Sequence, residues 1–150
     1  AVSRWPILLA GPLRGPNGES VALHHARSLG EVSAGAVREL MASAAIFVSS
    51  AVYEPFGLAV LEAAATGAAL VLSDIPTFRE LWHDAALFAP PDDARAFTAA
   101  IERLTDDAAL RHSLGARARD RAREFPFQRQ VDQVQHVYEI ARQHAAAPVG

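Results

Sequence analysis

Two glutamates, Glu54 and Glu62, flank a short turn that contains Gly57. A carboxylate accepts hydrogen bonds, so either side chain could bind the hydroxyl groups of a ligand. A glycine in the first turn of a helix lets a ligand approach the free backbone N–H groups, which favour an anion such as phosphate. This arrangement suits a ligand with hydroxyls at both ends and phosphate between them, and a nucleotide-sugar fits that description.

The neighbouring residues predict that this turn joins a buried strand to a helix. Residues 44–50 form a short apolar run with branched and aromatic side chains, which is typical of a strand covered on both faces of a sheet. Pro55 suits the first position of a helix, because its missing N–H would have no partner there. Gly67 is a plausible C-terminal stop. The residues that share one face of this helix are Leu58, Leu61, Glu62 and Ala65.

Glu62 has two interpretations. A carboxylate on an apolar stripe is costly to bury without hydrogen-bond partners. It could therefore be a residue at the edge of the stripe that reaches water, favoured by its place early in a helix. Alternatively, it accepts hydrogen bonds from the hydroxyls of a ligand, and Gly57 supports this second interpretation.

Several motifs in order resemble one family. Glu54-Pro55-Phe56-Gly57-Leu58, followed by Glu62-Ala63, resembles the E-x7-E signature of family 4 retaining glycosyltransferases, which have the two-domain GT-B fold. Leu29-Gly30-Glu31-Val32-Ser33 precedes this signature, and two segments, residues 73–80 and 84–88, follow it at similar places. The matches cover roughly residues 5–140 and resemble only the C-terminal, donor-binding half of such an enzyme.

The resemblance implies a role for each candidate site residue. Glu54 would be the catalytic residue and would contact the hydroxyls of the transferred sugar, while Glu62 would accept hydrogen bonds from the ribose hydroxyls. The backbone amides that would hold the diphosphate belong to Phe56, Gly57 and Leu58. The donor would be a UDP-, GDP- or ADP-sugar, and the implied reaction is the retaining, metal-independent transfer of a hexose to an acceptor hydroxyl, without a cofactor.

Two other turns are candidates for donor binding. The resemblance implies that Gly30 and Val32 border the nucleotide base. A purely structural interpretation is a strand-to-helix turn with Ser33 as N-cap. The two interpretations are compatible. Arg14 lies in a Gly/Pro-rich loop after an apolar strand at residues 5–11. It could reach a phosphate, or it could be a solvated loop arginine.

Apolar strands that alternate with helices predict an α/β fold with a parallel sheet and helices on both faces. The resemblance implies the Rossmann-like C-terminal half of a GT-B glycosyltransferase. In parallel sheets ligands bind beyond the carboxyl ends of the strands, and the candidate loops all follow strands. The other expected segments are a strand at 26–30, helices at 36–44 and 77–82, strands at 68–73 and 86–89, and helices at 94–104, 106–123 and 131–141.

The resemblance also sets expectations for domain organisation. Residues 1–150 would be one donor-binding domain without its first strand-helix segment, in which the family carries a basic pair that neutralises the diphosphate. The N-terminal domain that packs on this one and binds the acceptor would be absent, and the acceptor is unknown. We therefore expect this fragment to bind nucleotide weakly and to transfer no detectable sugar.

Composition excludes several classes of protein. The chain has 150 residues, a net charge of −3, no cysteine and no lysine. It therefore has no disulfide framework, and it is neither basic enough nor rich enough in stacking aromatics to bind nucleic acid.

Its glycines form no G-x-G-x-x-G fingerprint of a dehydrogenase. Adjacent His24 and His25 would point apart, which does not suit a shared metal. Alternate arginines at 117–123 suit a solvated helix face.

The sequence shows no apolar run of about 18 residues and no visible signal peptide. We expect a cytoplasmic location, either free or, for the full-length protein, peripheral to the inner membrane. Two other functions stay open. One is a non-catalytic nucleotide-sugar-binding or protein-interaction module that keeps the fold, and the other is an unrelated nucleotide-binding α/β domain.

Overall fold

The computed structural model describes residues 5–14, 18–20 and 22–125. Within these residues strands and short helices follow one another in the order expected of an α/β protein. The elements are β1 (Leu8–Ala10), β2 (Arg27–Gly30), α1 (Ala34–Ser43), β3 (Ile46–Ser49), α2 (Leu58–Thr66), β4 (Ala69–Ser73), α3 (Pro76–Trp82), β5 (Ala86–Ala89), α4 (Ala94–Asp106) and α5 (Ala108–Ala122).

All ladders between these strands are parallel, which confirms the predicted fold class. β3, β4 and β5 form one ladder in that order, with Phe47 opposite Leu70 and Leu70 opposite Ala86. β1 and β2 form a second ladder, whose register shifts between Leu9 and Ala10. In the described part of the chain the two ladders are not hydrogen-bonded to each other.

The core lies on both faces of β4, which confirms helices on both sides of this ladder. Leu70 and Leu72 pack on one face, against α2 and α3. Val71 packs on the other face, mainly against α4 and the first half of α5. The largest buried side chains that the helices contribute are Phe78, Trp82 and Leu104. Each buried side chain of this size stabilises the fold by about 1.5–3 kcal/mol.

Local signals fix most helix ends. Ser33 is the N-cap of α1 as predicted, and its Oγ accepts from the backbone N–H of Ala36 at 3.3 Å. Gly67 ends α2 in a left-handed conformation, with φ of 87°, also as predicted. Pro76 is the first residue of α3, and Asp93 and Asp107 cap α4 and α5 with their carboxylates.

Three of the exposed or half-buried arginines of α5 also make hydrogen bonds to neighbouring elements. Arg119 donates to the backbone carbonyl of Thr66 at 2.7 Å, and Arg121 donates to the carboxylate of Asp84 at 2.9 Å. Arg117 donates to the backbone carbonyl of Asp84 at 3.3 Å. These contacts fasten α5 to the end of α2 and to the loop after α3. Arg117, Arg119 and Arg123 are exposed and Arg121 is half-buried, so the arginines lie on a solvated face as predicted and also tie α5 to its neighbours.

The helix predicted at residues 131–141 lies outside the described residues. No helix in the described part is both long and apolar enough to cross a membrane.

Candidate functional site

The carboxyl ends of β3 and β4 lie side by side at the centre of the candidate site. The two strands run in the same direction, so their ends meet at one edge of the sheet. Ser73, at the end of β4, donates its hydroxyl to the backbone carbonyl of Ser49 at 3.2 Å. The loop formed by residues 50–57 therefore emerges where parallel sheets bind ligands.

Glu54 closes this loop against the start of α2. Its Oε1 accepts a hydrogen bond from the backbone N–H of Gly57 at 2.9 Å and a longer one from that of Phe56 at 3.4 Å. Gly57 is the N-cap, and α2 begins at Leu58. The predictions that Pro55 opens the helix and that Gly57 lies in its first turn are therefore wrong. The turn that the Glu54 carboxylate stabilises delays the helix by three residues.

Gly57 fits this turn because it lacks a side chain. Its φ of 88° is in the left-handed region, which side chains disfavour. A Cβ on Gly57 would lie 2.9 Å from Cε1 of Phe78, which is fully buried in the core. Phe56 is held separately, by an edge-to-face contact with Phe125 at 5.8 Å between ring centroids. Packing on two sides thus fixes the backbone that presents the candidate amides.

The apolar face of α2 differs from the predicted one. Val60, Ala63 and Ala64 are buried, whereas Leu58 is 63% exposed and Glu62 is also exposed. Of the two interpretations of Glu62, the structure supports a carboxylate that reaches water in the absence of ligand. The helix is apolar nearly all round, so its sequence does not mark which side faces the core.

A second group of candidate residues lies at the carboxyl ends of β1 and β2. Gly30 has a φ of 64°, and its carbonyl accepts from the backbone N–H of Gly11 at 2.8 Å. An open depression of about 320 Å³ follows these strand ends. Its lining residues are Ala10, Gly11, Glu31, Val32 and Val37. The structure therefore places the predicted Gly30–Val32 turn beside a concave surface.

Arg14 is exposed in the loop after β1, where its backbone forms an antiparallel bridge with Ser20. The structure thus brings the predicted residues into two groups, 54–58 after β3 and 30–32 after β2. Another depression, of about 200 Å³, lies between α2 and α5 and contains none of the predicted residues.

An ion pair between Asp74 and Arg79 lies at the end of β4, and no motif in the sequence singles it out. Arg79 donates from Nε and Nη2 to the two carboxylate oxygens of Asp74 at 2.6 and 2.7 Å, and its guanidinium lies 4.1 Å from the ring centroid of Phe88. These hydrogen bonds, with the charge of Arg79 as a smaller cause, lower the pKa of Asp74 below its ordinary value of 3.8. The carboxylate at this strand end is therefore neutralised locally.

We expect Arg79→Gln to return the pKa of Asp74 to about its ordinary value of 3.8. Because the pKa is lowered in the folded state, the pair stabilises the fold fully above pH 3.8 and the stabilisation is lost as pH falls below it. An NMR titration of the Asp74 carboxyl group measures the midpoint, with Glu80→Gln as the control that leaves the pair intact. An unchanged midpoint in Arg79→Gln would contradict the assigned cause.

Within residues 5–14, 18–20 and 22–125, no three His, Asp or Glu side chains are grouped so that they could hold a metal ion.

Comparison with known proteins gives a consistent set of relatives. Residues 19–121 match the family described as glycosyl transferases group 1. The phosphatidyl-myo-inositol mannosyltransferase of Mycolicibacterium smegmatis is 34% identical over 77% of this chain and 31% of its own length. The O-antigen chain mannosyltransferase B of Escherichia coli is 33% identical over 76% of this chain and 30% of its own.

Among solved structures, the sucrose-phosphate synthase from Thermosynechococcus elongatus superposes with a TM-score of 0.72 at 27% identity, over 82% of this chain and 31% of that one. This chain therefore spans about a third of the length of the relatives that it matches.

Proposed function

The chain belongs to the glycosyl transferases group 1 family, and on that premise we propose that it is the donor-binding domain of a retaining glycosyltransferase. In the complete protein it would bind a nucleotide-diphosphate sugar and present its hexose to an acceptor hydroxyl. The observation that carries this proposal is the turn from Glu54 to Gly57, which places a carboxylate and a row of backbone amides together at the end of β3.

The diphosphate would bind at the start of α2. Gly57 has no side chain with which to cap the helix, so the first N–H groups of α2 are available to an anion. The packing of Phe56 and Gly57 fixes the backbone of the turn, so its peptide dipoles need little reorganisation once the Glu54 carboxylate has left the N–H groups of these two residues. Such fixed donors stabilise the charge that develops on a departing diphosphate, and losing one costs about 3 kcal/mol. These amides can act without a metal ion.

The rest of the donor would extend to both sides of the diphosphate. Glu54 would accept from the hydroxyls of the transferred sugar, and the exposed carboxylate of Glu62 would accept from the ribose. The base would enter the depression beside Val32, whose volume of about 320 Å³ is within the range of small-ligand sites. Arg14, exposed in the loop after β1, is a candidate contact for a phosphate.

The donor-domain proposal predicts that Glu62→Ala weakens binding of the preferred nucleoside diphosphate by about 10- to 100-fold. A carboxylate that bonds a ribose hydroxyl contributes on the order of 1.5–3 kcal/mol. UDP, GDP and ADP would each be titrated by calorimetry, with and without their sugars, into the chain and into the variant. The matched control is Glu80→Ala, which removes an exposed carboxylate from α3.

Preference for one diphosphate, weakened in Glu62→Ala and unchanged in Glu80→Ala, would support the proposal and identify the base. Weak binding and no detectable transfer are expected for this chain by itself. If the complete protein also bound none of the three diphosphates, the donor-domain proposal would be wrong, and a non-catalytic module with this fold would take its place.

A further inference from the structure

The donor turn, residues 54–57, combines a stiff residue with a very free one. Pro55 has a fixed φ and biases Glu54 towards extended backbone. Gly57 has no side chain and a φ of 88°, so its backbone has the most freedom to lose when it is ordered. The Phe78 ring lies beneath Gly57, but glycine offers no side chain that this ring could lock. The turn therefore needs other groups to keep it in one conformation.

Two sets of contacts hold the donor turn. The first is internal, because the Glu54 carboxylate accepts from the last two backbone N–H groups of the turn at 3.4 and 2.9 Å. The second is external, because the half-buried Phe56 ring meets the Phe125 ring edge to face, with 5.8 Å between centroids. Pro55 and Leu58 are exposed. Phe56 is thus the side chain through which the rest of the protein can hold this turn.

Phe125 is a firm anchor because α5 carries it. The helix ends at Ala122, and the backbone N–H of Phe125 donates to the carbonyl of Ala122 at 3.1 Å, so one more turn follows the helix. Ala118 and Ala122 are buried in the core cluster that contains the buried residues of α2. Arg119 donates to the carbonyl of Thr66 at 2.7 Å. α5 is thus fastened to the last turn of α2 by Arg119 and to the donor turn before α2 by Phe125.

The two sets of contacts respond differently to a ligand. Each backbone N–H has one proton to donate, so the Glu54 carboxylate must leave the amides before a phosphate oxygen can bind to them. The internal contacts are then lost. The contact between the rings of Phe56 and Phe125 uses no amide, so it is compatible with the open turn. Phe125 is therefore suited to hold the turn after the carboxylate has left.

We propose that Phe125 is a positioning residue for the donor, because it keeps the amides of residues 56–58 aligned while the Glu54 carboxylate is away from them. This inference rests on the proposed function, since the ligand concerned is the nucleoside diphosphate of the donor. Glu54 and Phe125 hold the free turn redundantly. Removing either one leaves the turn ordered, whereas removing both releases Gly57.

The ordering role is measured first without a ligand, by NMR relaxation on the 150-residue chain. We expect backbone order parameters of about 0.85 at residues 56–58 in the unmodified chain, in Glu54→Ala and in Phe125→Ala. In the double variant they should fall below about 0.6. Glu54→Ala combined with Phe125→Tyr keeps an aromatic ring and should stay ordered. A double variant as ordered as the unmodified chain, or a disordered turn in Glu54→Ala alone, would overturn the proposal.

Nucleotide binding tests the link to the donor. UDP, GDP and ADP would be titrated by calorimetry into the complete protein, the two single variants and the double variant. With Phe125 present, Glu54→Ala removes a competitor and should tighten binding of the preferred diphosphate by up to about tenfold. In Phe125→Ala the same substitution should weaken binding by about threefold, because the ligand must then order the turn. The effect of Glu54→Ala thus differs by about 10- to 30-fold between the two backgrounds, and equal effects would refute the positioning role.

Leu110→Ala is the matched control for general loosening of α5. Leu110 is a half-buried apolar residue of the same helix, and it packs against the core cluster on the opposite face of the sheet. Both Leu110→Ala and Phe125→Ala should lower the melting temperature. Only Phe125→Ala should change the effect of Glu54→Ala on diphosphate binding. An equal change in the Leu110→Ala background would show that loosening of α5 is the cause, and the proposal would be wrong.

Failure of the proposed function and failure of the positioning role give different results. If the complete protein bound none of the three diphosphates, the donor function would be wrong and the positioning role for the donor would fall with it. If a diphosphate bound and the effects of Glu54→Ala and Phe125→Ala were additive, the positioning role alone would be wrong.

Discussion

Replacing Glu54 with alanine is expected to reduce sugar transfer by the complete protein about 100- to 1,000-fold without weakening its binding of the nucleoside diphosphate. The loss of transfer follows from the proposed contact between Glu54 and the hydroxyls of the sugar. In other active sites, removing one polar contact that strengthens in the transition state lowers the rate by about this factor.

The unimpaired binding follows from a competition seen in the structure. The Glu54 carboxylate already accepts from the backbone N–H of Gly57 at 2.9 Å and from that of Phe56 at 3.4 Å. These are the amides that we propose for the diphosphate, and each N–H has one proton to donate. The carboxylate must therefore leave them before a phosphate oxygen can bind, and its new position would be available to the sugar.

Removing this competitor should make diphosphate binding up to about tenfold tighter in Glu54→Ala, which corresponds to about 1.4 kcal/mol. Glu62→Ala should show the opposite pattern, with weaker binding of the diphosphate. Calorimetry with the preferred diphosphate and a steady-state transfer assay separate the two effects. Weaker diphosphate binding in Glu54→Ala would show that the carboxylate supports the site and does not compete for it.

Short-range signals predicted much of the fold. The apolar runs that became β3, β4 and β5 were correctly predicted to be strands, and β4 is buried along its whole length as expected. No residue of β3 is buried and its Val48 is 41% exposed, so the expectation that this strand is covered on both faces is not met. Ser33 and Gly67 act within a few residues of their own positions, and both were predicted correctly. The separation of the two ladders could not be predicted, because strand pairing depends on residues far apart in the chain.

The errors at the site have a different origin. Proline at the first position of a helix is a frequent pattern, but at Pro55 the hydrogen bonds to Glu54 stabilise a turn. Because α2 is alanine-rich and apolar nearly all round, its sequence fits more than one apolar stripe. The predicted stripe contained Leu58 and Glu62, which are exposed, whereas the helix buries Val60, Ala63 and Ala64. The hydrogen bond from Arg79 to Asp74 joins a residue of α3 to the residue after β4. The hydrophobic periodicity of the sequence does not predict a polar contact of this kind.

Substituting Gly115 with alanine is expected to destabilise the fold by about 2 kcal/mol. Gly115 lies inside α5 and is buried, and a Cβ there would collide with the backbone carbonyl oxygen of Gly67 and approach the backbone N of Ala69 to 3.6 Å. Backbone atoms cannot rotate away as a side chain can, so α5 would have to shift. Such overpacking costs about 1–3 kcal/mol or more, against a gain in helix propensity of up to about 1 kcal/mol.

The same shift would weaken a second contact. Arg119, one turn further along α5, donates to the carbonyl of Thr66 at 2.7 Å and so fastens α5 to the end of α2. Gly35→Ala is the matched control, because the nearest atom to its added Cβ would be Ser33 Oγ at an ordinary 3.8 Å. That variant should raise stability slightly, by up to about 0.5–1 kcal/mol. The denaturant midpoints of unfolding would measure the stability of Gly115→Ala and of Gly35→Ala. A midpoint that shifts in the same direction in both variants would show that the close contact with Gly67 does not cause the effect of Gly115→Ala.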